Sequence, residues 1–429
     1  MKRILFPPED KWDELCRRPE LNKTDLDETV KTVLNRIKNE GDKAIREYSL
    51  KFDGISLSDL KVTQVEINES VELVPDDLKK AISISKENIE KFHKAQIIRE
   101  PPVETISGVR CWRKNIAIEK VGLYIPGGTA PLFSTALMLA IPAKIAGCRQ
   151  IVMCTPPDND GKVNPLILYI AYITGITEIY KIGGSQAIAA LAYGTETVPK
   201  VYKIFGPGNQ YVTKAKEIVQ TFGIAIDMPA GPSEVLVIAD SNADPVFVAA
   251  DLLSQAEHGA DSQVILATDN KALLANVMSE IEKQLQELPR KDIASRALNN
   301  SSSLLFHSLK ECLDFSNMYA PEHLIINTSD ASALSEKVTN AGSVFIGKYS
   351  CESAGDYASG TNHTLPTNGF AKSFGGVSTE SFIKKITFQE IDAKGIAALG
   401  PAIGLMAEAE SLSGHRNAVD VRLKSIKNV

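Results

Sequence analysis

The sequence lacks several features that mark common classes of protein. Its six cysteines form no C-x-x-C pair, so reduced thiols are a better interpretation than a disulfide framework. No run of lysine and arginine is interleaved with aromatic residues, and the net charge is −6. The electrostatic footprint of a nucleic-acid-binding protein is therefore missing. A small-molecule partner is the better expectation.

Long apolar runs are also missing. The longest, APLFSTALMLAIPAKIAG at residues 130–147, is interrupted by Pro142 and Lys144 and falls short of a membrane span. The start, MKRILFPPEDKW, has only three apolar residues before two prolines, which is too short for a signal peptide. We therefore expect a cytoplasmic protein that does not contact a membrane.

Two frequent phosphate-binding signatures are absent, because the sequence contains neither G-x-G-x-x-G nor G-x-x-x-x-G-K-[ST]. Three glycine-rich turns occur instead between strand-like and helix-like segments: YIPGGTAP (124–131), IGGSQA (182–187) and FGPGNQ (205–210). Each can bring backbone N–H groups and a helix N-terminus to an anion. Any one of them alone is better explained as a structural turn. Three on one sheet edge favour a nucleotide groove.

The order of segments predicts the fold class. After a mostly helical first hundred residues, strand-like and helix-like segments alternate, which predicts two α/β units with parallel sheets, split near residues 228–233. Sheets of this kind bind ligands outside the carboxyl ends of their strands. The predicted parts are an N-terminal extension (1–24), a helical region with strands that join the second α/β unit (25–125), a first α/β unit on the cofactor-groove side (126–232), a second α/β unit with the catalytic and metal motifs (233–380) and a small helical tail (381–429).

Four of the six histidines lie in short polar clusters, SQAEHG, APEHL, AGDYASGTNH and AEAESLSGHRN, which contain His258, His323, His363 and His415. Gln255 precedes His258 by one helical turn, so both side chains can lie on one face and bind the same ligand. The same clusters contain Glu322, Asp356 and Glu410. Two histidines, an aspartate and a further oxygen donor suit a borderline metal such as zinc. Any one histidine alone is better explained as closing a loop, so only the grouping favours a metal site.

The sequence resembles the histidinol dehydrogenase family over nearly its whole length. The resemblance rests on VGLYIPGGTAPLFSTALML, GGSQAIAALAYGTE, IFGPGNQYVTKAK, DMPAGPSEVLVIAD, DLLSQAEHG, NMYAPEHL and ESAGDYASGTNHTLPT, in this order between residues 121 and 367, followed by EAESLSGHRNAV. Ala260 and Cys351 stand where the family usually has proline. The resemblance implies incomplete Rossmann-like units of the aldehyde-dehydrogenase type, which would account for the missing dinucleotide signature.

The resemblance also implies a role for particular residues. One zinc ion per subunit would be bound by Gln255, His258, Asp356 and His415. The substrate would be contacted by Ser233, Gln255, His258, His323, Asp356, His363, Glu410 and His415. The NAD+ groove would be lined by Tyr124, Gln186 and Asn209. The helical tail needs a partner surface for its apolar face, which is either the chain's own sheet or a second copy of the chain. The resemblance favours the second copy, in a homodimer in which each tail completes the site of the other subunit.

The implied reaction is oxidation of L-histidinol to L-histidine through the aldehyde, with two NAD+ used in sequence. His323 is the candidate base for the alcohol proton, because a histidine titrates near neutrality. Glu322 is the candidate for holding and deprotonating the water that adds to the aldehyde. Zinc would anchor the imidazole and amino nitrogens of the substrate, which is a template role.

Two other classes of function stay open on the residues alone. A zinc hydrolase would use Glu322 as the base for a metal-bound water and would need no cofactor groove. A non-catalytic metabolite-binding protein would have the same architecture of two α/β lobes. A glutamate and a histidine side by side with a metal set nearby are more than binding requires.

Overall fold

The computed structural model describes residues 1–18, 24–127 and 132–427. Residues 128–131 of the predicted turn at 124–131 therefore lie outside the described residues. The strands in these ranges are β1 (Lys2–Leu5), β2 (Val103–Ile106), β3 (Val109–Ala117), β4 (Lys120–Tyr124), β5 (Gln150–Thr155), β6 (Glu178–Lys181), β7 (Lys203–Phe205), β8 (Ala225–Ile226), β9 (Glu234–Ala239), β10 (Gln263–Thr268), β11 (Ser302–Leu305), β12 (His323–Asn327), β13 (Ser343–Ile346) and β14 (Ile383–Ile391).

The helices alternate with these strands over most of the chain. They are α1 (Trp12–Leu15), α2 (Thr24–Glu40), α3 (Asp42–Tyr48), α4 (Gln64–Leu73), α5 (Asp76–Lys94), α6 (Phe133–Ala146), α7 (Pro165–Thr174), α8 (Gly184–Tyr193), α9 (Gln210–Gln220), α10 (Pro245–Ala256), α11 (Lys271–Leu285), α12 (Lys291–Asn299), α13 (Leu309–Tyr319), α14 (Ala331–Ser335), α15 (Glu352–Tyr357), α16 (Ala393–Ala409) and α17 (Ser413–Lys427). Short 3-10 helices span Glu9–Lys11, Phe370–Lys372 and Thr379–Phe382, and a π-helical turn spans Ser49–Asp53. No helix within the described ranges has the length and apolarity that crossing a bilayer requires.

Two all-parallel sheets form the centre of the fold. The five-stranded sheet has the order β6-β5-β4-β7-β8, and the six-stranded sheet has the order β1-β11-β10-β9-β12-β13. The strands β9 (EVLVIA) and β10 (QVILAT) are buried along their whole length, as expected for central parallel strands covered by helices on both faces. The predicted α/β class with two parallel-sheet units is confirmed.

The N-terminal helices cover the five-stranded sheet. On one face, residues of α2 and α3 form a core with Val152, Cys154 and Ile204, and on the other face residues of α4 and α5 form a core with Val121 and Leu123. The strand β4 pairs with β5 and β7, and β1 pairs with β11. The sequence had instead suggested that strands within 25–125 join the second α/β unit and that residues 1–24 are an extension.

A second compact unit consists of residues 95–117 and 383–427. Its three-stranded antiparallel sheet has the order β14-β3-β2, and α16 packs against α17. The tail thus begins with a strand, whereas a helical pattern was predicted from residue 381. Every residue of Ile383–Ile391 pairs with β3, and this pairing outweighs the helical preference of the Lys, Gln and Glu residues in IKKITFQEI.

Candidate functional site

The predicted catalytic motif and the predicted metal motifs that lie outside the tail meet at the amino-terminal edge of the six-stranded sheet. Ser233 directly precedes β9, and its carbonyl oxygen accepts a hydrogen bond from the N–H of Gln263 at the start of β10 (3.0 Å). Glu322 and His323 open β12. Because α10 runs back from the far end of β9, its C-terminus brings Gln255 and the following His258 to the same edge. The expectation of a site at the carboxyl ends is therefore wrong for this sheet.

The main chain of Glu234 holds the predicted catalytic pair. Its N–H donates to Glu322 Oε2 (2.9 Å), and its carbonyl oxygen lies 3.1 Å from His323 Nδ1. Both side chains are buried, and Glu322 Oε2 lies 3.6 Å from His323 Nδ1. A carbonyl oxygen can only accept, so the contact favours a proton on Nδ1 and directs Nε2 of His323 away from the strand. The two residues are thus oriented by one peptide neighbour.

Three donors near His323 form a candidate metal site. The imidazole of His258 and the carboxylates of Glu352 and Asp356 each offer one ligand atom, and these atoms lie within 4.8 Å of one another. Asp356 Oδ1 also lies 3.7 Å from His323 Nε2. His363 joins the cluster through Nδ1, 2.9 Å from the carbonyl oxygen of Asp356, while its Nε2 lies 3.1 Å from Thr135 Oγ1.

Glu352 was not among the predicted site residues. With the Gln255 amide turned so that its nitrogen faces Glu352, which satisfies both ends of the amide, the Glu352 carboxylate accepts from this nitrogen (2.9 Å to Oε2). The amide oxygen of Gln255 then lies 3.3 Å from the main-chain nitrogen of Glu234. Both side chains are almost fully buried. A signal for Glu352 was present in ESAGDY, because Glu352 precedes Asp356 by four residues and shares its face of α15. Cys351, where the family usually has proline, is exposed and immediately precedes this helix.

The cluster concentrates three acidic side chains and His323 in a buried place, and this shifts their pKa values. Burial raises the pKa of both Glu322 and Glu352 to about 8. Burial lowers the pKa of His323, but Glu322, Glu352 and Asp356 raise it more, to about 10. Burial likewise acts to raise the pKa of Asp356, yet His323 holds it below its usual value. These pKa shifts apply to the cluster without a cation. A bound cation would favour the ionised carboxylates and the neutral imidazole, so it would lower the pKa of Glu322, Glu352 and His323.

The donors in this cluster fit the chemistry of zinc. One imidazole nitrogen and carboxylate oxygens are ligands that zinc accepts, and a divalent cation would offset the carboxylate charge. The structure thus brings together His258 and Asp356 of the predicted set, with Gln255 hydrogen-bonded to the third donor, Glu352.

Two predicted tail residues lie in the second compact unit. Glu410 directly follows α16, and His415 lies in the first turn of α17. Both side chains are exposed. Their participation in the site therefore stays a prediction.

The predicted cofactor residues line one cavity of about 740 Å³ at the carboxyl ends of β4, β6 and β7. The hydroxyl of Tyr124 accepts from the N–H of Gly184 (3.1 Å), so the strand end and the second glycine-rich turn are tied together. Asn209 caps α9 through the N–H groups of Tyr211 and Val212. Gln186 is buried in the first turn of α8. The geometry groups the three predicted residues, and their role in binding NAD+ stays a prediction.

Comparison with known proteins identifies relatives over the whole chain. The sequence model of the histidinol dehydrogenase family matches residues 16–423. A histidinol dehydrogenase of Bacteroides thetaiotaomicron is 58% identical over 427 residues, which cover 100% of both chains. That of Escherichia coli K12 is 51% identical over 417 residues, which cover 96% of this chain and 95% of the relative.

A solved structure agrees with this result. The crystal structure of histidinol dehydrogenase from Elizabethkingia anophelis superimposes with a TM-score of 0.98 at 57% identity, covering 100% of this chain and 99% of that chain. Family membership thus rests on sequence and on fold together. The chain belongs to the histidinol dehydrogenase family.

Proposed function

We propose that this chain oxidises L-histidinol to L-histidine through the aldehyde and passes two hydrides in sequence to two molecules of NAD+. Family membership supports the reaction. The observation that carries the assignment to residues is the buried Glu322–His323 pair, which is held by the main chain of Glu234 beside the donors of His258, Glu352 and Asp356.

In the first half reaction, His323 accepts the alcohol proton at Nε2 while the hydride leaves the carbinol carbon for the nicotinamide ring. The contact between Nδ1 and the Glu234 carbonyl oxygen (3.1 Å) supports this role, because it directs Nε2 away from the strand. A cation held by the neighbouring carboxylates would offset the charge that raises the pKa of His323, so Nε2 could then accept the proton. The alcohol then becomes the aldehyde, and the proton on His323 passes to solvent before the second step.

In the second half reaction, Glu322 takes a proton from the water that adds to the aldehyde carbon. The resulting hydrate loses its carbon-bound hydride to a second NAD+, and histidine is formed. Glu322 Oε2 is held by the N–H of Glu234 (2.9 Å), so Oε1 is the oxygen available to water. Burial raises the pKa of this carboxyl, so its ionised form is a stronger base toward water than an exposed carboxylate.

The zinc site is the second part of the proposal. His258 and Asp356 would bind the ion together with Gln255 and with His415. When bound, the ion supplies a template for the imidazole and amino nitrogens of the substrate. His363, Ser233 and Glu410 would complete the substrate contacts, and Tyr124, Gln186 and Asn209 would contact NAD+.

The quaternary structure and compartment complete the proposal. The chain would form a homodimer in which the tail, with Glu410 and His415, completes the partner's site. Such an exchange is a self-complementary contact. We expect the enzyme to work in the cytoplasm, where NAD+ is available.

The reaction is tested by counting NADH. Purified protein loaded with zinc is mixed with a limiting amount of histidinol and an excess of NAD+, and absorbance at the NADH band is followed to completion. Two NADH per histidinol are expected. A zinc hydrolase would form none. One NADH per histidinol with accumulated aldehyde would contradict the second half reaction.

The shared site is tested by mixing two inactive variants, His258→Ala and His415→Ala, under conditions in which subunits exchange. If ligands are shared, each mixed dimer has one site with both defects and one intact site, so activity returns. Each variant mixed with itself is the control. Absence of recovery in demonstrated mixed dimers would contradict the exchange and leave the other ligands unaffected.

A further inference from the structure

Arg18, in the N-terminal segment, forms a buried ion pair beneath the catalytic pair. Its Nε donates to Glu234 Oε1 (2.9 Å) and its Nη2 to Glu234 Oε2 (3.0 Å). The same Nη2 donates to the carbonyl oxygen of Tyr319 (2.7 Å), and Nη1 donates to that of Cys16 (3.0 Å). The guanidinium carbon lies 3.7 Å from the centre of the Tyr319 ring. The Arg18 side chain is only 10% exposed and that of Glu234 only 1%.

Glu234 therefore makes contacts through both its side chain and its main chain. Its carboxylate binds Arg18 in a two-pronged arrangement and also accepts from the N–H of Asn368 (2.7 Å). Its own N–H and carbonyl oxygen meet Glu322 and His323. One residue thus connects the guanidinium of the N-terminal segment to both predicted catalytic side chains.

Stability alone is a weak reason for this arrangement. A buried ion pair gains little over apolar residues of the same volume, because both charges must leave water. A planar guanidinium that is stacked on a ring and paired with both carboxylate oxygens is instead well suited to fixing geometry. Its partner Glu234 begins strand β9, where it pairs with Gln263 of β10, and the carbonyl oxygen of the preceding Ser233 accepts from the N–H of Gln263 (3.0 Å). The guanidinium adds an anchor on the Glu234 side chain, which this main-chain pairing does not hold.

We propose that Arg18 is a positioning residue for the oxidation, which acts through Glu234 on Glu322 and His323. The inference rests on the proposed function, since it concerns the residues assigned there to proton transfer. Loss of the guanidinium leaves the Glu234 carboxylate buried without its cation. The side chain then turns toward other donors and shifts Glu234 at the start of β9. This shift weakens the hydrogen bond from the Glu234 N–H to Glu322 and the contact of the Glu234 carbonyl oxygen with His323 Nδ1.

The test compares the variant Arg18→Ala with the variant Arg17→Ala. Arg17 is the exposed neighbour of Arg18, so its replacement removes the same charge at the surface. Loss of a supporting partner of this kind typically costs about 10–100-fold, and we expect such a fall in kcat for both half reactions after Arg18→Ala. The KM for NAD+ should change little, because the cofactor cavity lies on the other sheet. Arg17→Ala should retain wild-type kcat.

Rescue by guanidinium separates positioning from folding. Added guanidinium at a non-denaturing concentration should restore part of the kcat of Arg18→Ala and none of that of Arg17→Ala. Arg18→Lys, which keeps the charge without the planar fork, should stay impaired. If Arg18→Ala does not fold, Glu234→Gln is assayed instead, since the amide keeps the shape but loses the charge that binds Arg18, and it should show the same fall in kcat.

A second readout does not depend on turnover. The 15N shifts of the His323 ring should report a hydrogen-bonded proton on Nδ1 in the wild-type protein and a weakened hydrogen bond at Nδ1 in Arg18→Ala. Unchanged kcat in folded Arg18→Ala, or an unchanged His323 ring spectrum, would overturn the positioning role. If the wild-type protein itself forms no NADH from histidinol, the proposed function has failed, and the ring spectrum still tests the link from Arg18 to His323.

Discussion

The two parallel sheets present opposite kinds of surface at opposite ends of their strands. The five-stranded sheet opens a cavity at its carboxyl ends, and the described residues that line it include no lysine or arginine. The six-stranded sheet gathers Glu322, His323, Glu352 and Asp356, all buried, at its amino-terminal edge. A dinucleotide can be bound by turns, aromatic rings and N–H groups, whereas proton transfer needs ionisable side chains in fixed positions. If the proposed roles hold, cofactor binding and proton transfer take place on different sheets of one chain.

Beside each of the two sheets, a buried ion pair contacts a main-chain segment. Beside the cavity, Lys216 pairs with Asp227 in a buried contact. Lys216 Nζ donates to the carbonyl oxygen of Gly206 (2.9 Å). The N–H of the same Gly206 donates to Asp227 Oδ2 (2.8 Å). Arg18 and Glu234 form the corresponding pair beside the catalytic cluster. In both places a buried ion pair contacts a main-chain segment next to the proposed site.

His323→Asn should have the largest effect of the changes considered below. Asparagine keeps a hydrogen-bonding side chain but cannot accept the alcohol proton, and a positioned base contributes ~10²–10⁴-fold. We expect both half reactions to fall within this range while NAD+ still binds in the cavity on the other sheet. Rates are measured with histidinol and with histidinal, and NAD+ affinity by calorimetry. His307→Asn, on an exposed histidine stacked against Phe6, is the control. Loss of NAD+ binding together with the rates would break the separation of the two sheets.

Glu322→Gln should slow the two half reactions to different extents. The amide keeps the shape but cannot take a proton from water, so oxidation of histidinal should fall by ~10²–10⁴-fold, and oxidation of histidinol should fall less. Single-turnover NADH formation from each substrate measures the two steps separately. Glu336→Gln, in the exposed segment that follows α14, provides a matched control. Equal slowing of both steps would show that Glu322 does not act on water.

Glu352→Gln tests whether the carboxylate of Glu352, the third donor of the candidate metal site, contributes to zinc affinity. The amide removes one of the carboxylates that lie within 4.8 Å of the His258 and Asp356 donors, and loss of such a partner typically lowers metal affinity by about 10–100-fold. Competition with a chelator of known affinity measures zinc binding directly. Glu257→Gln changes a neighbour of His258 outside this donor group and should leave the affinity unchanged. Unaltered zinc affinity in Glu352→Gln would exclude the residue from the metal site.

Much of this architecture could be predicted because it depends on local patterns. The strands β9, β10 and β12 are apolar runs bounded by turns, and the helices between them show clear periodicity. The edge at which the catalytic residues meet could not be predicted, since it depends on where α10 ends relative to β9. Glu352 is four residues before Asp356 in ESAGDY, but this spacing alone does not show that its carboxylate is buried beside the metal donors. The strand β14 was misread because its identity depends on pairing with β3, more than 260 residues earlier.

Asp53→Asn should have the smallest effect and concerns the cofactor side of the comparison. Asp53 lines the cavity, burial raises its pKa, and its Oδ2 is buried without a hydrogen-bond partner in the described part of the chain. A carboxylate here can accept from ribose hydroxyls and would repel a ribose phosphate, as the acidic residue of dinucleotide folds does. We expect Asp53→Asn to raise the preference for NADP+ relative to NAD+ by roughly tenfold, which corresponds to ~1.4 kcal/mol. Calorimetric affinities and kcat/KM for both cofactors measure the ratio, with the exposed Asp59→Asn as control. An unchanged ratio would mean that Asp53 does not face the ribose, and the selectivity of the cavity would then depend on its other carboxylate, Asp158.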